Sequence, residues 1–169
     1  MVAVARFGQR NDGSQWVAVG DPVMGGCSTG AVEVLDGETS VFHGEVSLEN
    51  GGGFASVKCD IPTLDLSDFE GLLLNVCGDG KQYKLGLRMS WERNAPVYQH
   101  LFTTNEGSWE QIMLPLSGFV ASLRGRKRPD APPLDPARIA SLSLFISGGQ
   151  AGPFALQLRS IDAVNKQPK

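Results

Sequence analysis

Apolar and polar residues alternate with a period of two in one short segment after another of this chain, and glycine or proline interrupts each segment before a helical period can form. Residues 82–90 set Tyr83, Leu85, Leu87 and Met89 on one face and Lys84 and Arg88 on the other. Residues 40–49 put Phe42, Val46 and Leu48 together, opposite His43, Glu45 and Ser47, and residues 54–61 align Ala55, Val57, Cys59 and Ile61. Residues 70–77 contain the run Leu72-Leu73-Leu74, which reads as a strand covered on both sides. Residues 31–35, 97–103, 109–114, 139–147 and 154–161 complete a set of about nine predicted strands, the number expected of two packed sheets.

Turn residues mark the reversals: Asp36-Gly37, Asn50-Gly51-Gly52-Gly53, Gly78-Asp79-Gly80, Glu106-Gly107 and Gly148-Gly149. Helix is confined to one turn over 64–69, capped by Asp65 or Ser67, and to Asp135-Pro136-Ala137-Arg138, an N-cap followed by proline. Residues 118–136 read as the longest irregular stretch. With 169 residues and 41% apolar content the chain suits one domain, residues 1–169. A net charge of −3 argues against general nucleic-acid binding, which needs an excess of cations. Cys27, Cys59 and Cys77 form no C-x-x-C pair and have only His43 and His100 to complete a metal set, so buried free thiols are expected and no metal site is. The N-terminus lacks the apolar run of a signal peptide, and no segment approaches the ~20 apolar residues of a membrane span. The expected location is the cytoplasm, at the periphery of an energy-transducing membrane at most.

Catalytic patterns fail on their spacing. Gly78-Asp79-Gly80-Lys81-Gln82 lacks the upstream glycine and the hydroxyl residue of a phosphate loop, and Gly51-Gly52-Gly53 precedes a strand rather than a helix. Neither a G-x-S-x-G elbow nor an H-E-x-x-H pair is present. A glycosidase pair drawn from Asp21, Glu45, Glu49 or Asp79 has no fixed separation in sequence, and such acids are mostly turn formers or solvated strand residues. No catalytic role and no cofactor is expected.

One segment exceeds ordinary turn chemistry: Asp21-Pro22-Val23-Met24-Gly25-Gly26-Cys27-Ser28, a loop with at least one expected positive φ. Phe42-His43-Gly44, Ser47, Asn50 and Gly52-Gly53-Phe54-Ala55-Ser56 follow it. Here the chain resembles the complex I intermediate-associated protein 30 family, whose domain opens D-x-V-M-G-G-x-S and continues F-x-G-x-x-S-x-x-N-x-G-G-F-x-S. Later matches include Gly78-Asp79-Gly80, Tyr83, Trp109, Arg124-Gly125, Leu134-Asp135-Pro136 and Gly152-Pro153-Phe154, so that the similarity runs over roughly residues 7–164. The resemblance implies an all-β fold, a jelly-roll β-sandwich of the galactose-binding-domain-like type; the chain departs from the mitochondrial members in being almost the bare domain, and a short free-standing form of bacterial kind is expected. It also implies a helper role in assembling a respiratory or photosynthetic membrane complex, with subunits or assembly intermediates of that complex as partners.

Three functional classes are open. In the leading one a chaperone-like, protein-binding domain contacts its partner through Asp21, Val23, Met24, Gly25, Gly26 and Ser28, through Asn50 and Phe54, and through Arg124, Arg126, Lys127 and Arg128. Met24 suits an adaptable contact; alternatively Val23 and Met24 plug one end of the sandwich. The second class is a carbohydrate-binding module, for which Trp91, beside Glu92-Arg93-Asn94, is the free aromatic, Tyr83 being assigned to the core and Trp109 to the start of a buried strand. The third is RNA or anionic-surface binding through residues 124–128, a cationic run on an acidic body.

Overall fold

The computed structural model describes residues 2–10, 16–19, 29–48, 53–90, 92, 95–123 and 126–165, without the side chains of Arg10, Val19 and Arg126. The described strands are β1 (Val2–Arg6), β2 (Val17–Val19), β3 (Thr29–Val34), β4 (Ser40–Val46), β5 (Ala55–Leu64), β6 (Phe69–Cys77), β7 (Gln82–Arg88), β8 (Val97–Thr103), β9 (Trp109–Pro115), β10 (Val120–Leu123), β11 (Arg126–Lys127), β12 (Ile139–Ile146) and β13 (Gly152–Asn165). They form two antiparallel sheets. One has six strands in the order β3-β4-β13-β6-β9, with β1 also on β13; the other has seven, β11-β10-β8-β7-β12-β5-β2. The architecture is a jelly-roll β-sandwich, as expected, and among the described residues 3-10 turns occur at Gly8–Arg10, Leu116–Gly118 and Pro136–Arg138.

The period-two faces meet between the sheets. Phe42, Leu72, Leu74, Val76, Leu156 and Leu158 from the six-stranded sheet pack with Val57, Tyr83, Leu85, Leu87, Leu142 and Leu144 from the other, all fully buried. Each such leucine contributes about 1.5–3 kcal/mol of burial. Aromatic rings join the layers: Phe42 and its sheet neighbour Phe154, 5.0 Å apart, both meet Tyr83 of the other sheet edge-on, at 6.3 and 6.4 Å.

The strand β13, 14 residues long, carries the first sheet. Its first half pairs with β4, its second with β1, and β6 runs along its other side. To keep its apolar face inward along this length the strand shifts register between Leu158 and Ser160. The inward set is therefore Phe154, Leu156 and Leu158 before the bulge and Ile161 and Ala163 after it, with the parity reversed. Gly44, the glycine of Phe42-His43-Gly44, is required by close approach: a Cβ there would stand 2.0 Å from the Thr29 carbonyl oxygen of β3.

Several expectations need correcting. Residues 64–69 form no helical turn; Asp65 Oδ1 accepts the Ser67 amide at 2.9 Å, a side-chain-closed turn that leads into β6. Leu48 lies past the end of β4 and is exposed, and Leu73 is only partly buried because it points away from the core that holds Leu72 and Leu74. Residues 118–136 are not irregular throughout, since they contribute β10 and β11. Trp109 starts β9 but on its outer side, 37% exposed. The Asp135 cap holds as expected, its Oδ1 accepting the Ala137 amide at 3.0 Å. Cys59 and Cys77 are buried free thiols; Cys27 lies outside the described residues.

The face assignment of β7 has a direct check. Leu85→Ala and Leu87→Ala should each cost about 2–5 kcal/mol, and Lys84→Ala no more than ~0.5 kcal/mol. Urea midpoints of the three variants measure this; equal midpoints would contradict the assignment.

Candidate functional site

Strand register fixes where the sequence-derived candidates stand. Val19 pairs with Ser56, and Ala55 with Ile146, so the chain leaves β2 and enters β5 at one end of the seven-stranded sheet. Ser122 pairs with both Val97 and Lys127, which places the β10–β11 hairpin at the other end. The strand lengths separate the two ends by about 20–25 Å. Asp21, Val23, Met24, Gly25, Gly26, Ser28, Asn50, Trp91 and Arg124 lie outside the described residues. Of the rest, Phe54 is partly buried at the first end, whereas Lys127 and Arg128 are exposed at the second. The segments grouped as one partner site are therefore flanked by strands leading to opposite ends of the sheet. Arg128 is paired: its Nε donates to Asp130 Oδ1 at 3.2 Å.

At the first end, Gly78-Asp79-Gly80 acts as a clamp, not a phosphate loop. Asp79 Oδ1 accepts from the Tyr83 hydroxyl at 2.9 Å and from the Lys81 amide at 3.2 Å. Its Oδ2 accepts the Ala155 amide at 2.9 Å. Tyr83 belongs to one sheet and Ala155 to the other, so this carboxylate ties the two layers together. Burial, reinforced by the charge of Asp79, pushes the Tyr83 phenol far above its ordinary range and keeps it a donor. Lys81 completes the end by donating to the Pro153 carbonyl at 3.1 Å. Both oxygens of Asp79 are thus taken up by donors of the fold.

The outer face of the seven-stranded sheet is different in character. Pairing partners share a face, so Lys58 and Asp60 of β5, Ser141, Ser143 and Phe145 of β12, Lys84 and Arg88 of β7, and Leu101 of β8 all point outward. Val17 and Val120 join them from β2 and β10. Val17, Leu101 and Val120 are 48%, 49% and 53% exposed. Gly86 lies between Lys84 and Arg88 with no room for a side chain: a Cβ would meet Val97 at 2.7 Å and Phe145 at 2.8 Å. Ser141 lies between Asp60 and Arg88 in register and is 1% exposed. The Ser141 hydroxyl and Arg88 Nε are both buried without a hydrogen-bond partner among the described residues. Burial disfavours the Arg88 charge and Asp60 favours it, yet Asp60 pairs with Lys58 instead, at 3.6 Å. Sequence reasoning placed Lys84 and Arg88 on the polar face of their strand but did not single them out; the neighbour that matters, Ser141, is far away along the chain.

The outer face of the six-stranded sheet carries Trp109, whose ring lies 3.9 Å beneath the Arg159 guanidinium. Cys77, paired with Trp109, has its thiol pushed up by burial and by Glu110, the opposite of an activated nucleophile. Tyr98 is core, its hydroxyl donating to the Pro132 carbonyl. Among the described residues no group of three His, Cys, Asp or Glu side chains could hold a metal ion, and no helix is long and apolar enough to cross a membrane.

A family model described as complex I intermediate-associated protein 30 matches residues 5–158. The mouse protein named complex I intermediate-associated protein 30, mitochondrial, is 26% identical over 92% of this chain and 53% of its own length. The Drosophila melanogaster protein of that name is 25% identical over 85% and 56%. An uncharacterized Schizosaccharomyces pombe protein is 30% identical over 88% and 77%. The chain thus spans little more than half the length of the mouse and fly relatives. Among solved structures, the family 11 carbohydrate-binding module of a Clostridium thermocellum cellulase superimposes with a TM-score of 0.73 over 100% of this chain and 98% of its own, at 14% identity. The same module in complex with a mixed-linked tetrasaccharide gives 0.72 over 100% and 99%, also at 14%. At that identity the likeness is one of fold.

The clamp can be tested apart from any ligand. Asp79→Ala strands the Tyr83 hydroxyl and the Ala155 amide and should cost about 2–4 kcal/mol, while Tyr83→Phe, which keeps the ring, should cost about 1 kcal/mol. Urea denaturation of both variants measures the difference; an Asp79→Ala loss within ~0.5 kcal/mol would contradict the clamp.

Proposed function

The chain belongs to the complex I intermediate-associated protein 30 family, and from that membership we propose that it is a non-catalytic, protein-binding domain that aids biogenesis of a respiratory or photosynthetic membrane complex. The observation that carries the reading is the extent of the match: residues 5–158 take in strands of both sheets, from β1 into β13. The mouse and fly relatives bear a name that associates them with intermediates of complex I. A role in presenting or holding subunits of such a complex needs a rigid scaffold with partner-facing surface, and the sandwich offers one. Its core is filled from both sheets, while one outer face combines exposed aliphatic side chains with cations. Residues 21–28 and 50–54 belong to the partner contact in this reading, with Met24 as its adaptable side chain.

The carbohydrate alternative draws its support from fold likeness alone. Of the aromatic residues, Tyr83 and Tyr98 are core and Arg159 lies over the Trp109 ring, while Trp91, the residue this alternative rests on, lies outside the described residues. The RNA alternative is weakened by the Arg128–Asp130 pair.

Affinity isolation of the tagged chain from a membrane-containing lysate, read by mass spectrometry, tests the proposal. Subunits and assembly factors of one membrane complex should be enriched, and Met24→Ala should reduce their recovery while leaving stability within ~0.5 kcal/mol of the parent. Enrichment of ribosomes with a particular messenger, or of glycans alone, would overturn it.

A further inference from the structure

We infer that the outer face of the seven-stranded sheet is a docking surface for an acidic segment of a partner protein, with Arg88 receiving a carboxylate of that segment. The inference rests on the protein-binding reading above and supplies the chemistry of the partner. Charge is the first argument. Lys58, Lys84 and Arg88 face outward there with Asp60 as the only described acid among the paired outward positions, on a chain whose net charge is −3. A basic face on an acidic body favours an acidic partner and orients it on approach.

The second argument is local. Arg88 Nε and the Ser141 hydroxyl are buried neighbours without partners among the described residues, and Asp60 is engaged by Lys58. A half-desolvated guanidinium is stabilised most by an anion that matches its planar fork, and a carboxylate supplies two acceptor oxygens in that geometry. A neutral sugar hydroxyl would accept one hydrogen bond and bring no charge to offset the desolvation.

The third argument concerns the rest of the segment. Leu101, beside Lys84 in register, and Val120 on the next strand but one are exposed on the same face. An extended chain with an apolar residue between acids could lie along β7, its acids reaching Arg88 and Lys84, about 13 Å apart along the strand.

The test is a nitrogen-15 amide-shift titration of the full chain with a capped acidic peptide, Glu-Leu-Glu-Val-Asp. Its amidated counterpart Gln-Leu-Gln-Val-Asn, inorganic phosphate and a mixed-linked β-glucan tetrasaccharide form the parallel arms. The acidic peptide should give saturable shifts at the amides around Arg88, Ser141 and Ser143, with affinity falling about tenfold for the amidated peptide and for Arg88→Met. Arg88→Lys, which keeps the charge and loses the fork, should fall between the two, and Gln111→Ala, on the outer side of the six-stranded sheet, should bind as the parent does. If Arg88→Met does not fold, Ser141→Ala and Arg88→Lys carry the comparison. Absence of saturable shifts, equal binding by Arg88→Met, or shifts of the same amides by the tetrasaccharide or phosphate in place of the peptide would overturn the inference. Peptide binding lost in Arg88→Met while membrane-complex subunits are still co-isolated at the parent's level would remove this docking surface and leave the assembly reading standing.

Discussion

The fold depends on one geometric requirement: β13 must keep a single apolar face inward while it serves three neighbouring strands. The bulge after Leu158 meets it by reversing the strand's parity, so that Leu156 and Leu158 on one side of it and Ile161 and Ala163 on the other all enter the same core. The same irregularity brings Arg159 to Thr39, 3.2 Å from its hydroxyl, and over the Trp109 ring. A straight strand would turn half of its apolar residues outward and leave the six-stranded sheet without a continuous inner face.

Once both inner faces are committed to the core, the surfaces divide in character. The six-stranded sheet covers its exposed tryptophan with a cation and holds Cys77 as a buried, poorly reactive thiol. The end bearing Gly78-Asp79-Gly80 is spent on joining the layers through Asp79. The seven-stranded sheet sets the partnerless buried atoms of Arg88 and Ser141 on the outer face that also exposes Leu101 and Val120. Joining the layers and presenting unpaired polar atoms thus fall to different parts of one small sandwich.

What the sequence disclosed follows from how local each signal is. The faces of 82–90 and 54–61 were legible because a period of two continues through five or more residues with little ambiguity. The strands β2, β10 and β11 were not, since two to four residues carry no measurable period. Trp109 misled because Trp109-Glu110-Gln111-Ile112-Met113-Leu114 is apolar on both parities, and pairing with β6 decided for Ile112 and Leu114. Family motifs drew attention to residues 21–28 and 50–54, and the Gly78-Asp79-Gly80 match proved to be a structural clamp. The Arg88–Ser141 pair was beyond reach: two ordinary strand residues more than fifty positions apart acquire meaning only through register.

The central claim, that this chain meets its partner across the outer face of the seven-stranded sheet, is tested most directly by site-specific photo-crosslinking in cells. A photoreactive residue at Leu101 or Val120 should crosslink to a subunit or assembly factor of a membrane complex, and one at Gln111 or Met113 on the opposite sheet should not. Crosslinks to such a protein from positions 111 and 113 with none from 101 and 120 would contradict the account.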